Sequence, residues 1–412
     1  MNFLEYLKLS LATFRTHKLR SFLTTLGIII GVLTVIAVIS LIQGLNKTVE
    51  KQIQSLGSNS IYIQKMSWGT GRIDFEEVRR RKDLTIEDAQ AIAQLPSVYK
   101  VSPIRSQTIA NVTYQTNKYK MADVIGSNPD IQYTANYSLA IGRFISEDDY
   151  RRAKKVCCIG QEIAENLFPN TDPIGKRLNI LGHQFMVIGI LAKKGSFLGE
   201  SQDNVIILPL TAYEGIFKKP TGITAAFRGL SIIAIPPSSK EIEKAIDEIR
   251  ELMRRRHRLR YDQPDDFGIN TQETLRTIYR NITNVAFLVM IAVAAISLLV
   301  GGIGIMNIML VAVAERTREI GLRKALGANN QTILFQFLLE SSTLSFIGGV
   351  IGVASGLAIA KIVQIFAKIP AAAPFWTIIL GFGFSVGVGI FFGIYPANRA
   401  AKLNPISALR YE

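Results

Sequence analysis

The sequence predicts an α-helical membrane protein with four transmembrane helices and a large α+β extracytoplasmic domain of two lobes on a helical stalk. Three observations predict it. The chain of 412 residues is 48% hydrophobic, and its mean hydropathy of +0.24 is high for a soluble protein. Four long runs carry almost no charge, and basic residues flank them. Between the first two runs, alternating strands and capped helices follow one another. The formal net charge of +15 raises nucleic acid as a partner, but no RNA or DNA module signature is present. Cations gather beside the apolar runs instead, which suits membrane topology and contact with anionic lipid.

Residues 1–20 read as an amphipathic helix on the cytoplasmic face. Leu4, Leu7, Leu11 and Phe14 repeat at helical spacing, with Lys8 and Arg15 off that stripe. A signal peptide would share the basic start, but the next apolar run is too long and no small-residue cleavage site follows. Residues 21–42 are the first span, close to the roughly 20 residues needed to cross. Lys18 and Arg20 before it hold the N-terminus inside. Gly27 and Gly31 form a GxxxG pair that admits another helix. Leu41, Leu45, Val49 and Ile53 carry the helical pattern on into a stalk over 43–57.

Residues 58–269 form the α+β domain. Ser60–Gln64, Ile104–Tyr114, Lys118–Ile125, Val156–Ile159, Val205–Leu208 and Ser231–Ile235 read as strands. Arg177–Ile180 and Gln184–Ile190 form a hairpin around Leu181, Gly182 and His183. Thr85 with Asp88 and Ser146 with Asp149 are capping boxes. Lys240–Arg256 is an amphipathic helix with Ile242, Ile249 and Met253 on one side. Met66–Lys82 reads as a charged loop. One lobe is expected as an insertion over about 126–222. Cys157 and Cys158 are adjacent in a strand and point to opposite faces, so they are core residues and not a disulfide or metal site.

Asn270 with Glu273 is expected to cap a second stalk helix over 270–284, pairing with the first. It runs into the second span, 285–314. The third span, 338–360, holds Gly348, Gly352 and Gly356, and the fourth, 376–395, holds Gly383 with Gly387 and Gly389 with Gly393. Glycine is also simply common in membrane helices. Lys361, Lys368, Pro370 and Pro374 bound the short connection between these spans. Arg399, Lys402 and Arg410 in the tail, 396–412, keep the C-terminus inside.

The loop 315–332 is the most informative stretch. Glu315, Arg316, Arg318, Glu319, Arg323 and Lys324 follow the apolar run at once. Gly321 is placed to break the incoming helix. Leu322, Ala325 and Leu326 then share one face of a short surface helix. Gly327 is placed to end it in a left-handed cap. An apolar knob among cations suits a groove on another protein, although an ordinary positive-inside loop has the same charges. Glu340 is the one charge inside the third span. It is read either as a relay or substrate contact or, preferably, as a structural partner of Arg323 or Arg316. The sequence contains no GxxxxGK[ST] phosphate loop, no HExxH and no nucleophile elbow, and His17, His183 and His257 are isolated. Neither a catalytic residue, a metal site nor a directly bound cofactor is expected.

Four spans, the external domain between the first two, the loop ERTREIGLRKALGA and the tail YPANRAAKLNPISALRYE together resemble the MacB/FtsX-type ABC transporter permeases. The stretches IGRFISEDD, VCCIGQEIAENLFPN and DPIGKRLNILGHQFMVIGIL resemble that family's periplasmic core domain. The resemblance implies two external lobes, porter-like and Sabre-like, and a homodimeric permease in the plasma (inner) membrane. It implies docking of loop 315–328 onto an ATP-binding subunit that holds ATP and magnesium, and an external domain that meets a membrane-fusion adaptor. The chain departs from MacB in having no ATP-binding domain ahead of the permease, which implies a separate ATP-binding subunit. Movement driven by ATP would pass through the stalk by mechanotransmission, for efflux of antibiotics, peptides or lipid-linked substrates. In an FtsX-like alternative, the same movement regulates an extracellular hydrolase or sensor.

Overall fold

Apolar side chains alternating along a strand can serve two cores at once when both faces of a sheet are covered. That is the arrangement of the middle of this chain. The computed structural model describes residues 18–55, 59–69, 74–169, 171–197, 200–218, 220, 224, 228–367 and 374–409. The amphipathic helix expected over 1–20 lies outside them except at its end, as do part of the loop 66–82, Lys368, Pro370 and Arg410. Two units result, Val49–Arg280 and Met1–Thr48 with Asn281–Glu412.

In the first unit the strands are β1 (Ile61–Gln64), β2 (Lys100–Ile109), β3 (Val112–Tyr114), β4 (Asn117–Tyr119), β5 (Ala122–Ser127), β6 (Leu139–Gly142), β7 (Val156–Ile159), β8 (Arg177–Ile180), β9 (His183–Leu191), β10 (Ser196–Phe197), β11 (Glu200–Ser201), β12 (Val205–Pro209), β13 (Ser231–Ile235) and β14 (Gly268–Asn270). The main sheet has the order β14-β1-β13-β2-β5-β12-β7-β9-β8-β3-β4, with β6 on β9. Pairs β5–β12 and β7–β9 are parallel. One core holds Cys157, Val187 and Ile206, and a smaller one holds Cys158, Ile188 and Ile207. Successive residues of one strand thus fill opposite cores, and both thiols are buried and free. The β8–β9 turn places Leu181 (φ 50°) and Gly182 (φ 86°) in the left-handed region, as a two-residue type I′ hairpin requires.

One expectation is corrected here, and one expected boundary falls within a strand. The expected inserted lobe begins at about Gly126. That residue lies inside β5 opposite Arg105, and it is glycine because a Cβ there would stand 2.6 Å from Tyr213 Cβ. Along β2 the sheet changes partners: Lys100–Ile104 pair with β13 and Arg105–Ile109 with β5. Asn270 does not cap a helix. It belongs to β14, where its side chain accepts from the Trp68 amide at 2.7 Å and donates to the Met66 carbonyl. The cap is Thr271, whose hydroxyl accepts from the Thr274 amide while the Thr274 hydroxyl accepts in return. A hydroxyl one residue nearer the helix satisfies the open amides directly. The expected capping boxes of Thr85 with Asp88 and Ser146 with Asp149 are both formed. Arg276 and Glu50, from the two stalk segments, meet at 2.8 Å.

The amphipathic helix Ile242–His257 buries Ile249 and Met253 and ends on a charged lock. His257 Nδ1 contacts Asp266 at 2.6 Å, and its Nε2 faces Asp88 at 3.8 Å. Arg256 donates to Asp88 at 2.6 Å. Burial alone would lower the histidine's pKa, but Asp266 and Asp88 outweigh it and raise it to about 9.

In the second unit, α1 (Lys18–Ser55), α2 (Gln272–Glu315), α4 (Asn330–Ala367) and α5 (Phe375–Ala401) are long and apolar enough to cross a membrane. Between and after them lie α3 (Thr317–Ala325) and α6 (Pro405–Leu409). The expected spans fall inside the four long helices. Close backbone approach joins them: a Cβ on Gly27 would stand 2.7 Å from Gly301 Cα, and one on Gly31 3.0 Å from Leu298. Gly348, Gly352 and Gly356 face Ile28, Val32 and Ile36 of α1 in turn. Serine hydroxyls of α4 seat against glycines of α5, Ser345 on Gly389 and Ser341 on Gly393. Gly383 and Gly387 take no part in this packing: among the described residues, nothing lies within 4 Å of where their side chains would be. They line an open apolar groove with Trp376, Phe384 and Phe391, because the packed side of α5 is the one carrying Gly389 and Gly393.

Two outcomes are expected. The His257 lock should stabilise the chain fully below pH 6.5, its unfolded value, and be lost as pH rises through about 9. Thermal unfolding from pH 6 to 10 should show a decline worth roughly 2–3 kcal/mol that is absent from the His257→Gln variant. Separately, Gly352→Leu should cost about 1–3 kcal/mol by overpacking, whereas Gly383→Leu should leave the melting temperature in detergent unchanged. Equal effects of the two would contradict the packing described.

Candidate functional site

The charges after the second span oblige the chain to leave the apolar layer, and they place α3 at its edge. The helix break lies at Arg316 (φ −103°, ψ 17°), not at Gly321. Gly321 lies inside α3 and is buried, and a Cβ there would stand 2.7 Å from the Ala408 Cβ of α6. Its lack of a side chain serves a close contact, and the helical hydrogen bonds run on through it. Gly327 adopts φ 100°. Its amide donates to Lys324 and the Ala328 amide donates to Arg323, which is the Schellman pair that closes a helix end.

The face of α3 toward the unit holds Thr317, Ile320 and Gly321, all buried. The opposite face holds Arg318, Leu322, Ala325 and Leu326, all exposed. Leu322 is 53% exposed and Leu326 81%. Such spacing puts the two leucines one turn apart on one stripe. Exposed leucines among charges at a helix surface have no use in a monomer's own packing.

Four fixings hold this stripe in place. At the start of α3, Arg316 contacts both carboxylate oxygens of Glu340 at 3.3 Å, and Glu340 is 5% exposed. Between the two partners expected for Glu340, the structure selects Arg316. Arg323 bonds Glu319 at 2.6 Å and Gln336 at 3.3 Å. At the middle is the Gly321–Ala408 contact. At the end, the Lys324 ammonium donates to the Ala401 and Leu403 carbonyls at 2.7 Å each. Those carbonyls are at the C-terminus of α5, where a cation is favoured by both hydrogen bonding and the helix dipole.

Of the loop residues singled out in the sequence, Arg316, Gly321 and Lys324 therefore face inward, and Arg323 is largely engaged. Glu315, Arg318, Glu319, Leu322, Ala325, Leu326 and Gly327 are exposed. Sequence reading missed Gln336 and Ala408. The small residues Ala397, Ala400, Ala401 and Ala408, all buried, were the signal in the tail that something packs against it. Among the described residues no group of three His, Cys, Asp or Glu could hold a metal ion.

These features define a class: a helical membrane protein with four candidate spans, an α+β domain between the first two, and a surface helix between the second and third. Residues 21–252 match the MacB-like periplasmic core domain, and residues 291–405 match the FtsX-like permease C-terminal domain. The chain belongs to the MacB-like, FtsX-like family of ABC transporter permeases. It is 36% identical over 417 aligned positions to the macrolide export ATP-binding/permease protein MacB of Bdellovibrio bacteriovorus, covering 99% of this chain and 62% of that protein. It is 34% identical to the protein of the same name from Syntrophobacter fumaroxidans, covering 100% of this chain and 64% of that protein. The chain thus spans less than two thirds of the length of these relatives. The crystal structure of the periplasmic region of MacB from Actinobacillus actinomycetemcomitans aligns with 57% of this chain and 98% of that one, at 20% identity and a TM-score of 0.44.

If Glu340 is a structural partner, removing it alone should strand a charge. Glu340→Ala should lower stability by about 2 kcal/mol, less than for a fully buried pair because Arg316 is partly exposed. The double variant Arg316→Met with Glu340→Leu should recover most of that loss in a thermal melt. A double variant no better than the single one would show that the pair is not coupled.

Proposed function

We propose that this chain is the permease subunit of an ABC-type exporter, and that α3 docks in a groove of an ATP-binding subunit. The observation that carries the reading is the exposed stripe of Leu322, Ala325 and Leu326 on a helix tied down at both ends and its middle. A mobile loop would lose force, whereas a clamped helix passes displacement to the spans that hold it. The curated relatives are named as ATP-binding/permease proteins, and no phosphate-binding loop occurs in these 412 residues. ATP and magnesium therefore belong to a part outside them, and a separate subunit is proposed.

Two copies of the permease would work as a dimer in the plasma (inner) membrane, with both termini and α3 on the cytoplasmic side. Helices α1 and α2 each run on past their apolar stretch, so ATP-driven tilting of either can reach its stalk segment without unfolding. The external α+β domain would receive that movement and act on antibiotics, peptides or lipid-linked substrates, with a membrane-fusion adaptor as its partner. Like any coupling scheme, this one requires an element with two arrangements.

The test is a gentle detergent purification of the tagged full chain from native membranes. A P-loop ATPase should co-purify as a separate polypeptide. Leu322→Asp should abolish that co-purification and reduce export at least tenfold while leaving the permease folded. Wild-type ATP turnover and export in the variant would overturn the docking assignment. Turnover that responds to a protein partner and not to a small substrate would favour the FtsX-like regulator.

A further inference from the structure

We propose that the membrane-crossing unit holds a binding crevice for the phosphate head of an anionic phospholipid, at the edge of the apolar layer where α2 gives way to α3. The site rests on the chain crossing a membrane and not on the docking of α3 to an ATP-binding subunit. The crevice has a volume of about 240 Å³, smaller than the roughly 300–1,000 Å³ of pockets that enclose drug-sized ligands. Leu310, Val313 and Ala314 line it from the last turns of α2, just before the charge at Glu315. Arg399 lines it from the last turn of α5, and Asn404 and Ser407 from the start of α6.

Arg399 is the central observation. It is exposed, and its side chain makes no ion pair or hydrogen bond with another described residue. Neighbouring cations differ: Arg316 and Arg323 are held by carboxylates and Lys324 by two carbonyls. No acidic residue lines the crevice. A guanidinium presents five donors in a planar fork that matches phosphate oxygens. Ser407 and Asn404 add neutral donors beside it. The Asn404 carboxamide oxygen already accepts from the Ile406 amide at 3.0 Å, which leaves its NH₂ group for a ligand. Thr317 also lines the crevice, but its hydroxyl is spent on the Val313 and Ala314 carbonyls. An arginine kept only to set topology needs no such polar groups around it.

The lipid source of the phosphate follows from the apolar lining. Leu310, Val313 and Ala314 end the apolar run of α2, so a phosphate held by Arg399 sits where the acyl chains of a phospholipid continue along that run. Free phosphate gains nothing from such a wall, whereas each buried methylene of a lipid does. Basic pockets between membrane helices, at the level where the spans end, suit the heads of anionic lipids. A long arginine side chain at a helix end reaches that level readily. A lipid held here would also fill space beside α6, whose Ala408 seats Gly321 of α3.

The experiment uses the full chain in detergent micelles, titrated separately with phosphatidylglycerol and phosphatidylcholine, with native mass spectrometry counting the lipids retained. One phosphatidylglycerol per chain should be held about tenfold more tightly than phosphatidylcholine, whose own cation cancels the charge. Arg399→Gln should lower that affinity about tenfold, the loss of a charge-assisted contact, and adding Ser407→Ala should lower it further. Ala314→Phe should lower it comparably by filling the crevice with no change of charge. Lys402→Gln removes an exposed cation at the same helix end that does not line the crevice, and should leave the affinity unchanged. All these positions are exposed, so the melting temperature in detergent should hold in every variant. Equal retention of the two lipids, equal losses for Arg399→Gln and Lys402→Gln, or full binding in Ala314→Phe would overturn the proposal. So would displacement of the lipid by millimolar glycerol phosphate, which would assign the crevice to a soluble phosphate.

Discussion

Lipid gives two helices no hydrophobic reason to meet, so the membrane-crossing unit depends on how closely its backbones can approach. Gly27 against Gly301 sets α1 on α2. Gly348, Gly352 and Gly356 set α4 on α1, each accepting the next isoleucine or valine along that helix. Ser341 and Ser345 fill the space that Gly393 and Gly389 leave on α5, while their hydroxyls stay satisfied by carbonyls of their own helix. Dispersion contacts are individually small and need this proximity to add up. The orientation of α3 is inherited from that packing, since the helix is fastened to the ends of α4 and α5.

The fastening works through groups that must find partners anyway. The last carbonyls of a helix have no acceptor role within it, and Lys324 takes those of α5. The carboxylate of Glu340 is buried near an interface, and Arg316 reaches it where α2 gives way to α3. Neither contact is required to be strong. Each removes a cost that the chain would otherwise carry, and together they leave α3 little freedom to rotate its leucines inward. An exposed apolar stripe on a restrained helix is the physical content of the docking reading.

The α+β unit solves a different problem, since its strands must bury apolar residues on both sides. Cys157 and Cys158 illustrate the solution, one in each core. Much of this was legible beforehand. The β8–β9 hairpin, β7 and β13, and both capping boxes follow from alternation and from Ser, Thr and Asp at fixed offsets. The exchange of partners inside β2 was not legible, because nothing local in Lys100–Ile109 says which strand lies beside each half. Asn270 misled for a related reason: its side chain was claimed by the Met66–Trp68 backbone, which lies some two hundred residues away in sequence.

What the sequence by itself determined are the features that depend on neighbours along the chain. These are the four apolar runs, the strand and helix periods, the charged exit after α2, the left-handed end at Gly327 and the leucine stripe of α3. Length, period and charge act over a few residues, so they survive without knowledge of the fold. Only the tertiary structure decided which glycines pack, with Gly352 enclosed and Gly383 open, and that Gly321 faces Ala408 and does not break a helix. It also decided that Lys324 turns inward and that Glu340 takes Arg316. Each of these is set by which distant atoms come within a few ångströms, and a glycine or a charge looks the same in sequence whichever neighbour it will meet.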